Sequence, residues 1–220
     1  MKKISLLIVA ILETIGTYAQ TGPSAYNYQR RSLFEILPTT TADIIFFGNS
    51  ITDFCEWVEL FNNPNIKNRG ISGDRTYWML DRLDPIIKGK PHKLFLLIGT
   101  NDIGYEAGNP QDVANNITKL VERFQAESPQ TKLYIQSILP VNNDFELYAK
   151  RHGAKSAEII EANNLLKNIC AQKSITFIDV YSQLIDQNGK LNKEYTNDGL
   201  HLLGQGYLVW KGVLEEYIKN

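Results

Sequence analysis

The sequence predicts one α/β domain with a parallel sheet covered by helices on both faces. Three observations point there. Short, nearly all-apolar runs recur along the chain, as expected of strands buried on both faces. Stretches with apolar residues at helical spacing separate them, so the strands are joined by right-handed crossovers. A chain of 220 residues, 43% of them apolar, can fill one core of this class without disulfides or metals.

Residues 20–42 read as a polar lead-in, with Pro23 and Pro38 as breakers and a short helix over Tyr28–Leu37. The domain proper spans 43–220. Asp43–Phe47 is a strand ending in Gly48-Asn49. Asp53–Phe61 is a weakly marked helix and Asn65–Asn68 a more polar strand. Asp74–Ile87 is helical, with Trp78, Met79, Leu83 and Ile86 crowding one side; Pro85 kinks or restarts it. Lys93–Ile98 is the strongest strand. Asn109-Pro110 opens a clear helix, because Asn caps and Pro suits the first helical position; Val113, Ile117, Leu120, Val121 and Phe124 follow at helical spacing. Leu133–Ile138 is the next strand, stopped by Pro140. A polar loop over Val141–Lys155 leads to an amphipathic helix at 156–172. Ile175–Val180 is the final strand, Asn188-Gly189 a tight hairpin turn, and Tyr207, Trp210 and Leu214 mark the last helix.

Basic and acidic side chains nearly balance, 23 against 24, which argues against a nucleic-acid or anionic-membrane partner. Residues 1–19 read as an export signal. Lys2 and Lys3 precede an apolar stretch from Ile4 to Leu12, too short to span a bilayer, and Ala19 is the small residue at the expected cleavage point. The expected product is periplasmic or secreted, with no membrane segment once the signal is removed. Cys55 and Cys170 fall in helical stretches without CxxC spacing, so two buried free thiols are expected rather than a bridge.

In a parallel sheet, ligands bind at the carboxyl ends of the strands. Four polar clusters fall on that edge: Gly48-Asn49-Ser50-Ile51-Thr52, Gly70-Ile71-Ser72-Gly73-Asp74, Gly99-Thr100-Asn101-Asp102 and, before the last helix, Asp198-Gly199-Leu200-His201. A serine hydroxyl is a weak nucleophile and needs a base. Of the three histidines, His92 lies at a strand entrance, on the opposite edge, and His152 sits in a charged loop. His201 lies three residues after Asp198, a spacing that lets the carboxylate fix the imidazole tautomer and stabilise imidazolium. The N–H groups of Ser50 and Gly73 and the amide of Asn101 can supply the donors an oxyanion needs.

These four blocks, in this order, resemble those of the SGNH hydrolases, the GDSL-type esterase and lipase superfamily, over about residues 43–217. The resemblance implies a flavodoxin-like three-layer α/β/α fold with strand order 2-1-3-4-5. It implies Ser50 as nucleophile, His201 as general base and then acid, Asp198 as its orienter, and Ser50, Gly73 and Asn101 as the oxyanion hole. Asn49 stands where the family usually has Asp, which should alter local hydrogen bonding more than chemistry. Asp74 and Asp102 read as loop-ordering residues. They show no metal-like spacing with His, and the chemistry requires no cofactor.

The expected activity is an exported carboxylester hydrolase acting on a small-molecule or glycan ester. Trp57, Tyr77 and Tyr105 near the blocks and the polar, aromatic loop at 141–154 suit a sugar or a small acyl group, with acetyl favoured. The alternatives are a lysophospholipase or platelet-activating-factor-acetylhydrolase-like lipid esterase and, from another class, a carbohydrate-binding module on a non-catalytic scaffold.

Overall fold

A computed structural model describes residues 22–105 and 108–219; the expected export signal lies outside them. Five parallel strands, β1 (Ile44–Gly48), β2 (Ile66–Gly70), β3 (Lys93–Leu97), β4 (Lys132–Gln136) and β5 (Thr176–Ile178), form one sheet in the order β2-β1-β3-β4-β5. This is the predicted three-layer order, and helices cover both faces.

Strand alternation divides the core. Ile45, Phe47, Leu94 and Leu96 face one side and pack with α7 (Pro110–Glu127) and α9 (Ser156–Gln172). Ile44, Phe46, Phe95 and Leu97 face the other and pack with Trp57, Trp210 and Leu214 from α3 (Trp57–Phe61) and α11 (Gly204–Lys219). Burial on both sides explains why β1 and β3 read as continuous apolar runs. Cys170 belongs to the first cluster and Cys55 to the second, so the sheet separates the two thiols and both are free.

Several elements differ from expectation, each for a local reason. The lead-in helix, α1 (Ala25–Ile36), starts earlier because Ser24 accepts the Asn27 N–H. The stretch read as one helix over Asp53–Phe61 is two: α2 (Ser50–Asp53), capped by Asn49, and then α3. Asp74–Ile87 likewise divides into α4 (Thr76–Leu80) and α5 (Asp84–Gly89), the second restarting at Pro85. A short α6 (Thr100–Tyr105) follows β3 directly. The segment read as a polar loop contains α8 (Glu146–Tyr148) and one π-helical turn at Ala149–Gly153. Ile185 and Leu191 pair across the Asn188-Gly189 turn, where Gly189 adopts φ 73°.

Two glycines let helices fold back tightly on the strand ends. A side chain at Gly48 would come within 2.5 Å of the Leu97 carbonyl, and one at Gly70 within 2.3 Å of the Asp53 backbone nitrogen. The ends of β1 and β2 are further tied by Arg82, which is buried. It binds Asp74 through Nε at 2.7 Å and donates to the carbonyls of Arg69 and Gly48 at 2.9 and 3.1 Å. Arg82→Ala leaves the Asp74 carboxylate buried and unpaired, and should cost about 3–5 kcal/mol of stability. A chemical-denaturation midpoint equal to wild type would contradict this.

Candidate active site

Ser50 starts α2 immediately after β1. The Asn49 side-chain oxygen accepts the Ile51 N–H at 3.0 Å, which fixes this sharp strand-to-helix turn. The departure from the family's usual Asp is visible here: the Asn49 side-chain nitrogen is buried with no hydrogen-bond partner among the described residues.

The Ser50 hydroxyl lies 3.0 Å from His201 Nε2, and His201 Nδ1 lies 2.7 Å from Asp198 Oδ2. Residues 151 positions apart in sequence therefore form one continuous hydrogen-bonded line. Asp198 is held by its second oxygen, Oδ1, which accepts the N–H groups of Leu200 and His201, both at 2.8 Å. Burial pushes the Asp198 carboxyl up, but the bonds from the His201 ring and these amides outweigh it and leave the carboxyl below its ordinary value. Gly199, at φ 82°, is required in this loop: a side chain there would come within 2.3 Å of the Asn142 carbonyl. The Asn142 N–H in turn donates to the Gly199 carbonyl at 2.9 Å, tying the Asp198–His201 loop to the segment after β4.

Gly73 adopts φ 79° beyond β2, and a side chain built there would meet nothing within 4 Å. Asn101 is buried at the start of α6. One amide N–H donates to the Asp74 carbonyl at 3.0 Å, leaving the second for a ligand. Ser50, Gly73 and Asn101 thus stand beyond the carboxyl ends of β1, β2 and β3, neighbours in the sheet.

The acids read as loop-ordering residues hold the loops around this edge. Asp74 accepts the Arg75 N–H at 3.2 Å and the Asn27 side-chain N–H at 3.3 Å in addition to Arg82. Asp53 accepts the Tyr26 hydroxyl at 2.7 Å and the Ser72 N–H at 3.0 Å. Tyr26 and Asn27 belong to α1, so the lead-in helix buttresses the first two blocks, a role with no signal in the local sequence. Asp102 accepts both the N–H and the hydroxyl of Thr76. Burial pushes its carboxyl up to about 6, against the Thr76 bonds and the Arg75 charge. A carboxyl raised on folding stabilises below its unfolded value, near 3.9, and that contribution is lost as pH rises to about 6. Between pH 4 and 6 stability should therefore fall by about 2 kcal/mol more in wild type than in Asp102→Asn. Equal slopes in denaturation series at pH 4–6 would contradict it.

The aromatic residues fall differently from expectation. Trp57 is buried, stacked on Phe46 at 4.2 Å and edge-on to Trp210 at 4.8 Å, so it is core rather than site. The Tyr77 hydroxyl accepts from Arg75 at 3.0 Å. Tyr105 is exposed, with the Arg75 and Arg151 guanidinium groups 5.0 and 4.2 Å from its ring centre. His92 lies at the entrance to β3, as expected, its N–H donating to Asp43. His152 is not a loop-surface residue: it is 1% exposed and lies against Gly104, Tyr105 and Tyr148. Burial, with the Arg151 and His201 charges, lowers its pKa to about 4 and keeps it neutral. Phe54 was not singled out by the sequence reading. It stands four residues after Ser50, a spacing that shares a helical face, and its ring lies 5.2 Å from that of His201.

A serine hydrogen-bonded to an imidazole, itself bonded to a carboxylate, beside amide donors, can carry out acyl transfer. Among the described residues no group of three or more His, Cys, Asp or Glu could hold a metal ion, and no helix is long and apolar enough to cross a membrane.

Comparison with known proteins agrees with this chemistry. Residues 46–209 match the GDSL-like lipase/acylhydrolase family. Platelet-activating factor acetylhydrolase IB subunit alpha2 of Homo sapiens is 26% identical over 172 residues, 75% of this chain and 71% of that protein. An N-acylneuraminate cytidylyltransferase of Escherichia coli is 28% identical over 183 residues; the match covers 82% of this chain but spans only 41% of the relative. A solved Streptococcus pneumonia protein, described as a candidate platelet activating factor, superposes with a TM-score of 0.77 at 35% identity, over 87% of this chain and 90% of that one. The chain belongs to the GDSL-like lipase/acylhydrolase family, within the SGNH hydrolases, and is an ester hydrolase.

Proposed function

We propose that the protein is an exported serine esterase that removes short acyl groups, acetyl above all, from sugar or glycan esters. The observation that carries the catalytic part is the line from Ser50 through His201 to Asp198, at 3.0 and 2.7 Å. Ser50 Oγ attacks the ester carbonyl carbon as its proton passes to His201 Nε2. The N–H groups of Ser50 and Gly73 and the free amide N–H of Asn101 stabilise the oxyanion. The carbon–oxygen bond to the alcohol breaks, and the alcohol takes the proton from His201. Water, deprotonated by His201, then attacks the acyl-serine; the bond from the acyl carbon to Ser50 Oγ breaks, His201 returns the proton to Oγ, and the carboxylic acid leaves. Asp198 stabilises imidazolium in both halves.

The acetyl preference is supported by the polar residues around Ser50 and by the relationship to an acetylhydrolase. Export is supported by the paired lysines, the short apolar stretch and Ala19 at the N-terminus. A lipid ester is the second reading, favoured by that same relative and by the exposure of Leu147, Leu203 and Phe54. A series of p-nitrophenyl esters separates the two, run beside acetylated glycans. An enzyme that buries an acyl chain gains roughly 0.8 kcal/mol per methylene, so its efficiency climbs with length. Efficiency here should fall from acetate to octanoate. A climb through octanoate, or fatty acid released readily from lysophosphatidylcholine, would move the function to the lipid reading.

A further inference from the structure

Two aromatic rings flank the His201 imidazole. Tyr148 stands edge-on at 5.4 Å and 75°, and is half-buried against His152. Phe54 lies 5.2 Å away, tilted by 39°, and 56% of its surface is open to solvent. Phe34, Phe46, Phe47, Phe95 and Phe124 are all buried in the core. Phe54 is also firmly placed: its N–H donates to the Ser50 carbonyl at 3.0 Å, closing the turn that carries the nucleophile. A large apolar ring is therefore held open to water beside a reacting group.

The path of the proton decides which part of an ester it meets. His201 Nε2 must deliver a proton to the departing alcohol oxygen, so the alcohol lies against the imidazole and the rings that flank it. The carbonyl oxygen, not the alcohol, points toward the amide donors of Gly73 and Asn101. We propose that Phe54 is a specificity-determining residue for the alcohol portion of the substrate, an open platform on which a saturated ring, such as that of a sugar, lays its C–H face. The weakly positive C–H groups meet the negative face of the aromatic ring, and an acyclic alcohol covers less of it. This rests on the assignment of Ser50 and His201 above and adds to it the shape of the leaving group.

Two acetates of secondary alcohols, cyclohexyl acetate and 2-propyl acetate, isolate the ring, with an acetylated monosaccharide beside them. In wild type kcat/KM should favour the cyclohexyl ester. Phe54→Ala should lower the ratio of the two kcat/KM values about ten-fold, chiefly through KM, with the sugar acetate following the cyclohexyl ester. Phe54→Trp should restore the ratio. Equal losses on both acetates would overturn the proposal, because Phe54 would then only support His201. Unchanged rates on both would overturn it too, as would a loss confined to lysophosphatidylcholine micelles, which would make the ring a lipid contact. A fluorophosphonate probe applied to wild type and Phe54→Ala separates the two levels. Failure to label Ser50 in wild type counts against the catalytic assignment, whereas normal labelling with an unchanged ratio counts against Phe54 alone.

Discussion

Ser50→Ala should lower turnover of p-nitrophenyl acetate by a factor on the order of 10⁶, because nucleophile, base and orienter act as a unit and losing one forfeits nearly all of their joint effect. The fold should survive. The side-chain partner of the Ser50 hydroxyl is His201, and the turn around it is held by the Asn49 cap and by backbone bonds from Asp53 and Phe54. A thermal midpoint within a few degrees of wild type, with activity at background, is the expected pair of results. Turnover within ten-fold of wild type would remove Ser50 from the reaction.

Asp198→Asn should cost about 10⁴ in kcat, for a different reason. The carboxylate oxygen 2.7 Å from His201 Nδ1 can only accept, so Nδ1 carries the proton and Nε2 keeps the lone pair that faces Ser50. An amide nitrogen in its place donates to Nδ1, moves the ring proton to Nε2 and leaves no base for the serine. The other side-chain oxygen still accepts the N–H groups of Leu200 and His201, so the loop should hold its shape. Comparison with Asp198→Ala separates the effects. The alanine variant loses the loop anchors as well and should be measurably less stable, while the asparagine variant should be inactive at near-native stability. Activity in Asp198→Asn near wild type would mean that the carboxylate does not set the tautomer.

The frame of the molecule was legible where burial on both sides leaves a mark on every residue. β1 and β3 read as strands because both faces are covered, so their residues, apart from Lys93 at the start of β3, are nearly all apolar, and α7 read as a helix from its Asn-Pro start and regular apolar spacing. The polar blocks were legible because each follows a strand end or opens a helix. What was missed depends on neighbours distant in the chain. Trp57 looked like a site residue and is core, because Trp210 arrives beside it from α11. His152 was placed in a charged loop and is in fact buried, because Gly104 leaves room for its ring. α2 and α6 are too short for any periodicity to register, although they carry Ser50 and Asn101. The part played by α1 in bracing Asp53 and Asp74 is invisible locally, since its contacts to them cross 27 and 47 residues.

The most direct measurement is covalent. The protein, treated with a fluorophosphonate probe and digested, should yield one modified peptide by mass spectrometry, with the adduct on Ser50. His201→Ala should slow its formation by orders of magnitude, and Ser50→Ala should abolish it. An adduct on any other residue, or labelling at an undiminished rate without His201, would contradict Ser50 as a nucleophile activated by His201.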